Sequence, residues 1–163
     1  MNRADGEGAL GGAAEAVGRI PSGVSILTAC DSDASTGMLA SWVQQAAFEP
    51  LAVSVCVRLG RPILEMIEAS GAFALNPVPE ASGALFRHFG KGFGPGEDAF
   101  EGLEVERTAY GVRLTGALAY LGCRVINTVD VGDHRLIVGD VVEGRVMGDG
   151  SPHVHLRKTG ASY

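Results

Sequence analysis

Short β-branched segments separated by turns dominate the chain, and only two brief stretches have the periodicity of a helix. The clearest strand candidates are residues 23–30, 51–59 and 117–130, and a further strand begins after the Val-Gly-Asp turn at residues 131–133. Strands and helices do not alternate as they do in βαβ units. The pattern therefore predicts an antiparallel β-barrel with short helical insertions.

The last two strands form the clearest predicted hairpin, because apolar and polar residues alternate along both. Two apolar rows are expected to share a face: Leu121, Cys123, Val125 and Val129 in the first strand, and Leu136, Val138, Val142 and Val146 in the second.

The two helices are short. The first is predicted to start at Pro62, which suits a first-turn position, and to end at Gly71. The second is predicted over residues 80–89. Residues 1–17 are rich in glycine and alanine, so we expect a flexible N-terminal segment that is frayed or weakly helical. Residues 18–163 are expected to form one domain.

The composition excludes several classes of partner. The chain has 163 residues, a net charge of -6 and 46% hydrophobic residues. An acidic globular chain argues against nucleic acid and anionic membranes as partners, and no apolar run approaches the ~20 residues of a membrane helix. The N-terminus lacks the order of a signal peptide, and the three cysteines have no C-x-x-C spacing. These features predict a cytoplasmic protein without a membrane anchor.

Residues 37–48, GMLASWVQQAAF, fit neither strand pattern, because small and hydrogen-bonding residues surround Trp42, the chain's one tryptophan. Shortly afterwards, residues 58–62 (RLGRP) place two arginines and a glycine before a helix N-terminus. The N–H groups and positive dipole end of such a terminus suit a phosphate, and arginine adds a bidentate donor. On these residues alone, solvated surface arginines remain the alternative.

Other candidate motifs are weaker. The glycine-rich residues 90–96 (GKGFGPG) do not join a strand to a helix, so we interpret them as a mobile surface loop. His153 and His155 lack a third zinc ligand at a suitable spacing, and no metal site is predicted. His134, beside a turn, could equally be a surface residue. No Ser/His/Asp set or carboxylate pair has a diagnostic spacing, so the sequence gives no case for hydrolysis.

Five segments together resemble a known family: RIPSGVSILTA, GMLASWVQQAAFEP, GAFALNPV, LAYLGCRV and GDHRLIVGDV, in this order from Arg19 onward. They resemble the flavin reductase-like family, the FMN-binding split barrels. Within that family the chain is most similar to the C-terminal flavin reductase-like module of cyanobacterial flavodiiron proteins. The resemblance implies a mainly β fold, an antiparallel Greek-key split barrel with short helical insertions. It also implies a homodimer that holds FMN, or FAD, near the subunit interface and takes hydride from NAD(P)H.

The resemblance further implies which residues contact the cofactor. Those matched to the family's flavin site are Thr36, Gly37, Met38, Leu39, Ala40, Ser41, Trp42, Val43, Gln44, Arg58, Gly60, Arg61 and Asn76. His134 matches a histidine near which nicotinamide stacks, and Tyr163 matches a C-terminal aromatic residue. No protein side chain is implied as a catalytic acid or base.

The chain departs from the family pattern at several positions. Gly122 stands where the family often has glutamate, and Arg61 stands where serine or threonine often caps the helix. No metallo-β-lactamase-like domain precedes the module in this sequence, so no diiron centre is expected.

The leading interpretation is therefore an FMN-binding NAD(P)H:flavin oxidoreductase. The alternatives are a flavoredoxin-like electron carrier that exchanges electrons with protein partners, and a flavin-free interaction module.

Overall fold

The computed structural model describes residues 3–161, with side chains described from residue 11 onward. The elements in chain order are α1 (Arg3–Gly18), β1 (Ser22–Gly23), β2 (Ser25–Asp31), β3 (Ala34–Ala40), β4 (Val43–Ala47), β5 (Ala52–Arg58), α2 (Pro62–Ser70), β6 (Ala72–Pro77), α3 (Gly83–Gly90), β7 (Val105–Arg107), β8 (Val112–Leu114), β9 (Ala119–Val131), β10 (His134–Val146) and β11 (Val154–His155).

Seven strands form one antiparallel sheet in the order β3-β2-β6-β9-β10-β5-β4. Six strand spacings of about 4.8 Å would hold the edges of a flat sheet about 29 Å apart. The edge strands β3 and β4 are nevertheless consecutive in the chain. The link from Ala40 to Val43 spans at most about 11 Å, so the sheet must curve until its edges approach each other. β3 also contacts β5. The result is an antiparallel barrel with an open seam between β3 and β4, which confirms the predicted fold.

Two hydrophobic cores lie on opposite faces of this sheet. The inner core, shared with α2, includes Leu27, Val55, Val57, Ile63, Phe73 and Ile137. The outer core, shared with α3 and β8, includes Ile26, Val78, Phe89, Phe100 and Leu114. The neighbours Ile26 and Leu27 belong to different cores, because successive side chains of a strand point to opposite faces. The first five residues of β2, residues 25–29, are therefore all buried.

The first strand of the predicted hairpin follows the expected alternation only in its first half. Cys123 is buried in the inner core and Val125 packs against it, whereas Val129 is 48% exposed. Val125 pairs with Gly139, and Asn127 pairs with the residue before Gly139, so the residue between Val125 and Asn127 forms a bulge. A bulge adds one residue to a strand and reverses the alternation beyond it. The assignment of Val129 to the core face was therefore wrong.

The second strand carries its core residues on the face opposite to the predicted one. Ile137 is buried in the inner core and Val141 packs against it. Val142 and Val146 are exposed instead. The pairing of β10 with β9 shifts again between Val141 and Glu143. The predicted row of residues 136, 138, 142 and 146 was wrong because pairing with neighbouring strands, and not local alternation, sets the inward face.

The helices follow their sequence signals more closely. Helix α2 starts at Pro62, and Gly71 ends it with a left-handed φ of 68°, as predicted. Helix α3 begins at Gly83, later than predicted. The residues before it bridge to another segment, since the Glu80 N–H donates to the Ser151 carbonyl at 2.9 Å.

At the N-terminus, residues 3–18 form α1. The flexibility expected of residues 1–17 stays a prediction. Within residues 3–161, no helix has the length and apolar character needed to cross a bilayer.

Candidate functional site

A cleft opens where β3 ends and the chain turns into β4. At this corner the Trp42 carbonyl accepts a hydrogen bond of 3.0 Å from the Cys56 N–H, which fixes the start of β4 against β5. The cleft has a volume of about 300 Å³. Its lining residues are Val24, Met38, Leu39, Ala40, Ser41, Trp42, Cys56, Arg58, Arg61, Phe86, Phe89, Gly90, Lys91, Gly92, His155 and Arg157. The unusual sequence at residues 37–48 thus forms one wall of the cleft.

The charge of this lining differs from that of the chain. The lining includes Arg58, Arg61, Lys91 and Arg157, and no aspartate or glutamate of the described residues joins them. The chain as a whole has a net charge of -6. A concentration of cations in an acidic protein attracts an anionic ligand. The guanidinium groups also match the geometry of phosphate oxygens.

The N-terminus of α2 adds to this positive end of the cleft. Arg61 is the N-cap residue, has extended backbone angles, and makes no side-chain capping bond. Gly60 before it has a φ of 82°, a conformation that glycine adopts without strain. A Cβ at Gly92 would lie 3.6 Å from an Arg61 guanidinium nitrogen, so the loop after α3 meets Arg61 here. Pro62 has no N–H, and the N–H groups of Arg61 and Leu64 already donate to backbone carbonyls. The arrangement therefore offers an anion the positive end of the helix dipole and guanidinium donors.

Trp42 stands between this cleft and a second cavity of about 450 Å³. The second cavity is lined by Trp42, Arg58, Asp133, His134, Arg157, Gly160 and Ala161. The ring centroids of Trp42 and His134 are 4.6 Å apart, with the planes tilted by 37°. The Arg157 Cζ lies 4.7 Å from the Trp42 ring centroid. Trp42, Arg58 and Arg157 line both cavities, so the two cavities adjoin at these residues.

Asp133 holds the polar groups of the second cavity. Its Oδ1 lies 2.8 Å from Nδ1 of His134, and its Oδ2 lies 3.9 Å from Nε of Arg58. The hydrogen bond with His134 lowers the pKa of the Asp133 carboxyl, and the charges of His134 and Arg58 lower it further. An ionised Asp133 accepts the Nδ1 proton of His134 and so holds the orientation of the ring.

Aromatic side chains also line the cleft. Phe86 and Phe89 of α3 line the cleft, and Phe86 stacks on His153 with centroids 5.0 Å apart. His155 lies 6.0 Å from Phe86 on the same wall. Cys56 also lines the cleft, and burial raises the pKa of its thiol. The wall therefore offers apolar surface and an un-ionised thiol to a planar ligand.

Only some of the predicted site residues meet in the cleft. Those that line it are Met38, Leu39, Ala40, Ser41, Trp42, Arg58 and Arg61, and His134 lines the second cavity. Thr36 lines a separate groove beside α2. Gly37 lies outside the cleft lining, and a Cβ there would come within 3.0 Å of Phe89. Tyr163 lies outside the described residues.

Three further predicted residues occupy other surroundings. Val43 packs against the inner core. Gln44 is exposed on β4. Gly60 forms the turn before α2 and is not part of the cleft lining.

Asn76 is fully buried, and its side chain joins three strands. Its Nδ2 donates to the Ile26 carbonyl at 3.3 Å and to the Val112 carbonyl at 3.0 Å. Its Oδ1 accepts from the Leu114 N–H at 3.0 Å. Three protein partners occupy the amide, and Asn76 is not part of the cleft lining. The structure thus gives this residue a role in holding β6, β2 and β8 together.

The sequence analysis missed several residues of the lining: Val24, Cys56, Phe86, Phe89, Gly90, Lys91, Gly92, His155 and Arg157. The glycine-rich stretch at residues 90–96 was interpreted as a surface loop, yet its first three residues belong to the cleft. The stretch does not match a nucleotide-binding fingerprint, but the lysine among its glycines was a signal for an anion-binding loop. The sequence around Arg157 does not mark it as a cleft residue, because only the path of the C-terminal segment brings it to Trp42.

An antiparallel barrel with a cation-lined, partly aromatic cleft at its open seam defines the class of split-barrel flavoproteins. The chain belongs to the flavin reductase-like domain family, whose model matches residues 17–161.

Relatives of known sequence agree with this assignment. The chain is 41% identical over 152 residues to the putative diflavin flavoprotein A 3 of Nostoc sp. PCC 7120, covering 91% of this chain and 26% of the relative. It is 39% identical over 152 residues to the diflavin flavoprotein A 1 of Synechocystis sp. PCC 6803, with the same coverage. The chain therefore spans about a quarter of the length of these relatives. The resemblance to the flavin reductase-like module of such proteins is confirmed.

Solved structures share the fold. The NADH:FAD oxidoreductase SgcE6 of Streptomyces globisporus superposes with a TM-score of 0.80 at 23% identity, covering 88% of this chain and 86% of that one. The flavin reductase of the styrene monooxygenase of Pseudomonas putida S12 superposes with a TM-score of 0.74 at 23% identity, covering 87% and 90%.

Proposed function

We propose that this protein is an FMN-binding NAD(P)H:flavin oxidoreductase. The observation that carries the proposal is the cleft beside Trp42, where Arg58, Arg61, Lys91 and Arg157 meet without a carboxylate among the described lining residues. A planar ring with a phosphate-bearing tail suits a cleft whose lining combines aromatic side chains with cations. The related NADH:FAD oxidoreductase SgcE6, also solved with NAD and FAD fragments, supports flavin and nicotinamide as ligands.

The charge and size of the cleft residues indicate which part of FMN each would contact. Arg61, Lys91 and the α2 N-terminus would hold the phosphate, because they supply cationic donors at one end of the cleft. The main chain from Met38 to Ser41 would lie along the ring, where the small side chain of Ala40 lets the backbone approach. When bound, the flavin supplies the redox chemistry by accepting hydride and passing electrons on.

The second cavity would receive the nicotinamide. His134 lines it beside Trp42, and Asp133 holds the His134 ring through Nδ1. The two rings offer an aromatic surface next to the flavin cleft. The buried Phe89 and the half-buried Phe86 limit the access of water to this part of the cleft. No protein acid or base is required in this account, so these residues act by position.

An anaerobic titration of the FMN-loaded protein with NADH and then NADPH tests the proposal. We expect one of the two to bleach the flavin absorbance, and added flavin to be reduced in turnover. Loaded protein that neither nicotinamide reduces would contradict the reductase assignment.

A second candidate is an FMN electron carrier with protein redox partners. The observation that favours it is that the relatives are diflavin flavoproteins about four times as long as this chain. Such a carrier would bind FMN but react slowly with nicotinamides and quickly with a reduced partner protein. A flavin-free interaction module is the third alternative, and colourless protein that does not take up FMN would support it.

We further propose that the protein forms a two-fold homodimer, since closed dimers are the commonest assembly. Ile126, Val129 and Val131 expose apolar surface near the turn of the β9–β10 hairpin, which suits such an interface. Sedimentation of the FMN-loaded chain at micromolar concentration should give a dimer, and a monomer would contradict the proposal. We also propose that it is a cytoplasmic protein.

A further inference from the structure

The C-terminal segment, residues 156–161, packs against the end of α1 at two glycines. The Gly160 N–H donates to the Ala14 carbonyl at 2.6 Å. A Cβ at Gly160 would collide with the Val17 side chain, and a Cβ at Gly18 would come within 3.0 Å of the Arg157 carbonyl oxygen. Glycine is therefore required on both sides of this contact. The contact fixes the path of the backbone on both sides of Lys158.

This path places Arg157 where the two cavities meet. Its guanidinium lies over Trp42, and it lines the flavin cleft as well as the second cavity. Within the described part of the chain, no carboxylate forms an ion pair with Arg157. Arg58, the other arginine of the second cavity, instead has the Asp133 carboxylate 3.9 Å away. Arg157 is thus the cation of the second cavity that no described carboxylate opposes.

The flavin phosphate has other donors. Arg61 and Lys91 line the cleft but not the second cavity. A nicotinamide dinucleotide carries a pyrophosphate, and a ligand with its nicotinamide near His134 requires a cation for that group. Arginine binds such oxygens bidentately.

We propose that Arg157 binds the pyrophosphate of the nicotinamide dinucleotide in the second cavity, and that α1 positions it through the contact at Gly160. This inference rests on the proposed function and extends it to a residue outside the matched flavin site. It makes the N-terminal helix part of dinucleotide recognition.

Calorimetric titration of the FMN-loaded protein with NAD⁺, NADP⁺ and ADP-ribose tests the role of Arg157. The oxidised dinucleotides cannot reduce flavin, and ADP-ribose has the pyrophosphate without nicotinamide. We expect Arg157→Gln to raise the Kd of the preferred dinucleotide and of ADP-ribose tenfold or more, with the Kd of FMN changed less than twofold. Arg157→Lys should recover part of the loss. Arg145→Gln, which removes an exposed arginine outside both cavities, should change neither Kd.

Gly160→Ala tests the positioning by α1. We expect Gly160→Ala to raise the Kd of the dinucleotide and of ADP-ribose as Arg157→Gln does. In the Arg157→Gln background it should have little further effect on either Kd. In the Gly160→Ala background, Val17→Gly removes the side chain with which the new Cβ collides, so it should restore part of the dinucleotide affinity.

Two results would overturn the inference. One is a loss of FMN affinity in Arg157→Gln with unchanged dinucleotide affinity, which would assign Arg157 to the flavin phosphate. The other is no change in either ligand. Wild-type protein that binds the oxidised dinucleotides in this way, but whose bound FMN neither NADH nor NADPH reduces, would contradict the reductase function and leave the inference standing.

Discussion

Replacing Asn76 by alanine tests whether this residue holds strands together or holds the cofactor. The change removes the three hydrogen bonds that its buried amide makes to Ile26, Val112 and Leu114. The Val112 carbonyl keeps the Thr28 hydroxyl as a donor at 2.9 Å, whereas the Leu114 N–H loses its partner amide. Leaving one buried donor unsatisfied costs about 1–3 kcal/mol, and each lost bond contributes about 0.5–1.5 kcal/mol.

The three lost bonds and the one unsatisfied donor together predict that Asn76→Ala lowers the free energy of unfolding by about 2.5–7.5 kcal/mol, a large part of the stability of a typical domain. Urea denaturation followed by Trp42 fluorescence measures it. Asn127→Ala, at an exposed position on β9, is the matched control and should stay within about 0.5 kcal/mol of the wild type.

Flavin binding supplies the second readout for the same variant. If Asn76 is structural, the folded fraction of Asn76→Ala should bind FMN with nearly wild-type affinity. A loss of stability below about 1 kcal/mol, together with a large loss of FMN affinity, would refute this reasoning and restore Asn76 to the cofactor site.

Four further predictions follow from particular residues. Arg61→Ala should weaken FMN by about 1.5–3 kcal/mol and riboflavin much less, because riboflavin lacks the phosphate; equal losses in equilibrium titrations would count against a phosphate contact. His134→Ala should lower kcat/KM for NAD(P)H by about 1–3 kcal/mol at nearly unchanged flavin affinity, and unchanged steady-state kinetics would make it a surface residue. Burial raises the pKa of the Cys123 thiol from 9.0 to about 12. Unfolding therefore releases a proton between these pH values, and stability should fall there by about 1.4 kcal/mol per pH unit from this residue; denaturation curves of Cys123→Ala should be less steep in pH, and an unchanged slope would contradict the argument. A Cβ at Gly122 would lie 2.5 Å from the Tyr110 ring, whereas one at Gly144 meets nothing within 4 Å; Gly122→Ala should destabilise by about 1–3 kcal/mol and Gly144→Ala much less, and equal unfolding midpoints would contradict the packing.

The sequence predicted the limits of an element well where the backbone preferences of single residues determine them. Pro62 and Gly71 act through their own backbone preferences, so the limits of α2 could be predicted. The inward face of β10 could not, because two bulges in its pairing with β9 decide which side chains turn inward. Ile137 became a core residue through that register.

The candidate site shows the same division. The wall formed by Met38 to Trp42 is contiguous in the chain, and its unusual composition marked it in advance. Lys91 and Arg157 come to the cleft from a loop and a terminal segment far away in the sequence. Their positions depend on the closure of the barrel and on the contact with α1. Local sequence patterns do not predict either of these tertiary features. Asn76 was matched by family resemblance, and only the three-dimensional partners of its amide show what it does.

Titrating the wild-type protein into FMN and, in parallel, into riboflavin tests the central claim most directly. Flavin fluorescence and the fluorescence of Trp42 report binding together, because Trp42 is the chain's one tryptophan and lines the cleft. The account predicts that both signals are quenched at stoichiometric FMN, and that FMN binds at least tenfold more tightly than riboflavin at low salt, with the difference shrinking as salt rises. Unaltered flavin fluorescence at stoichiometric protein, or equal affinities for the two flavins, would contradict it.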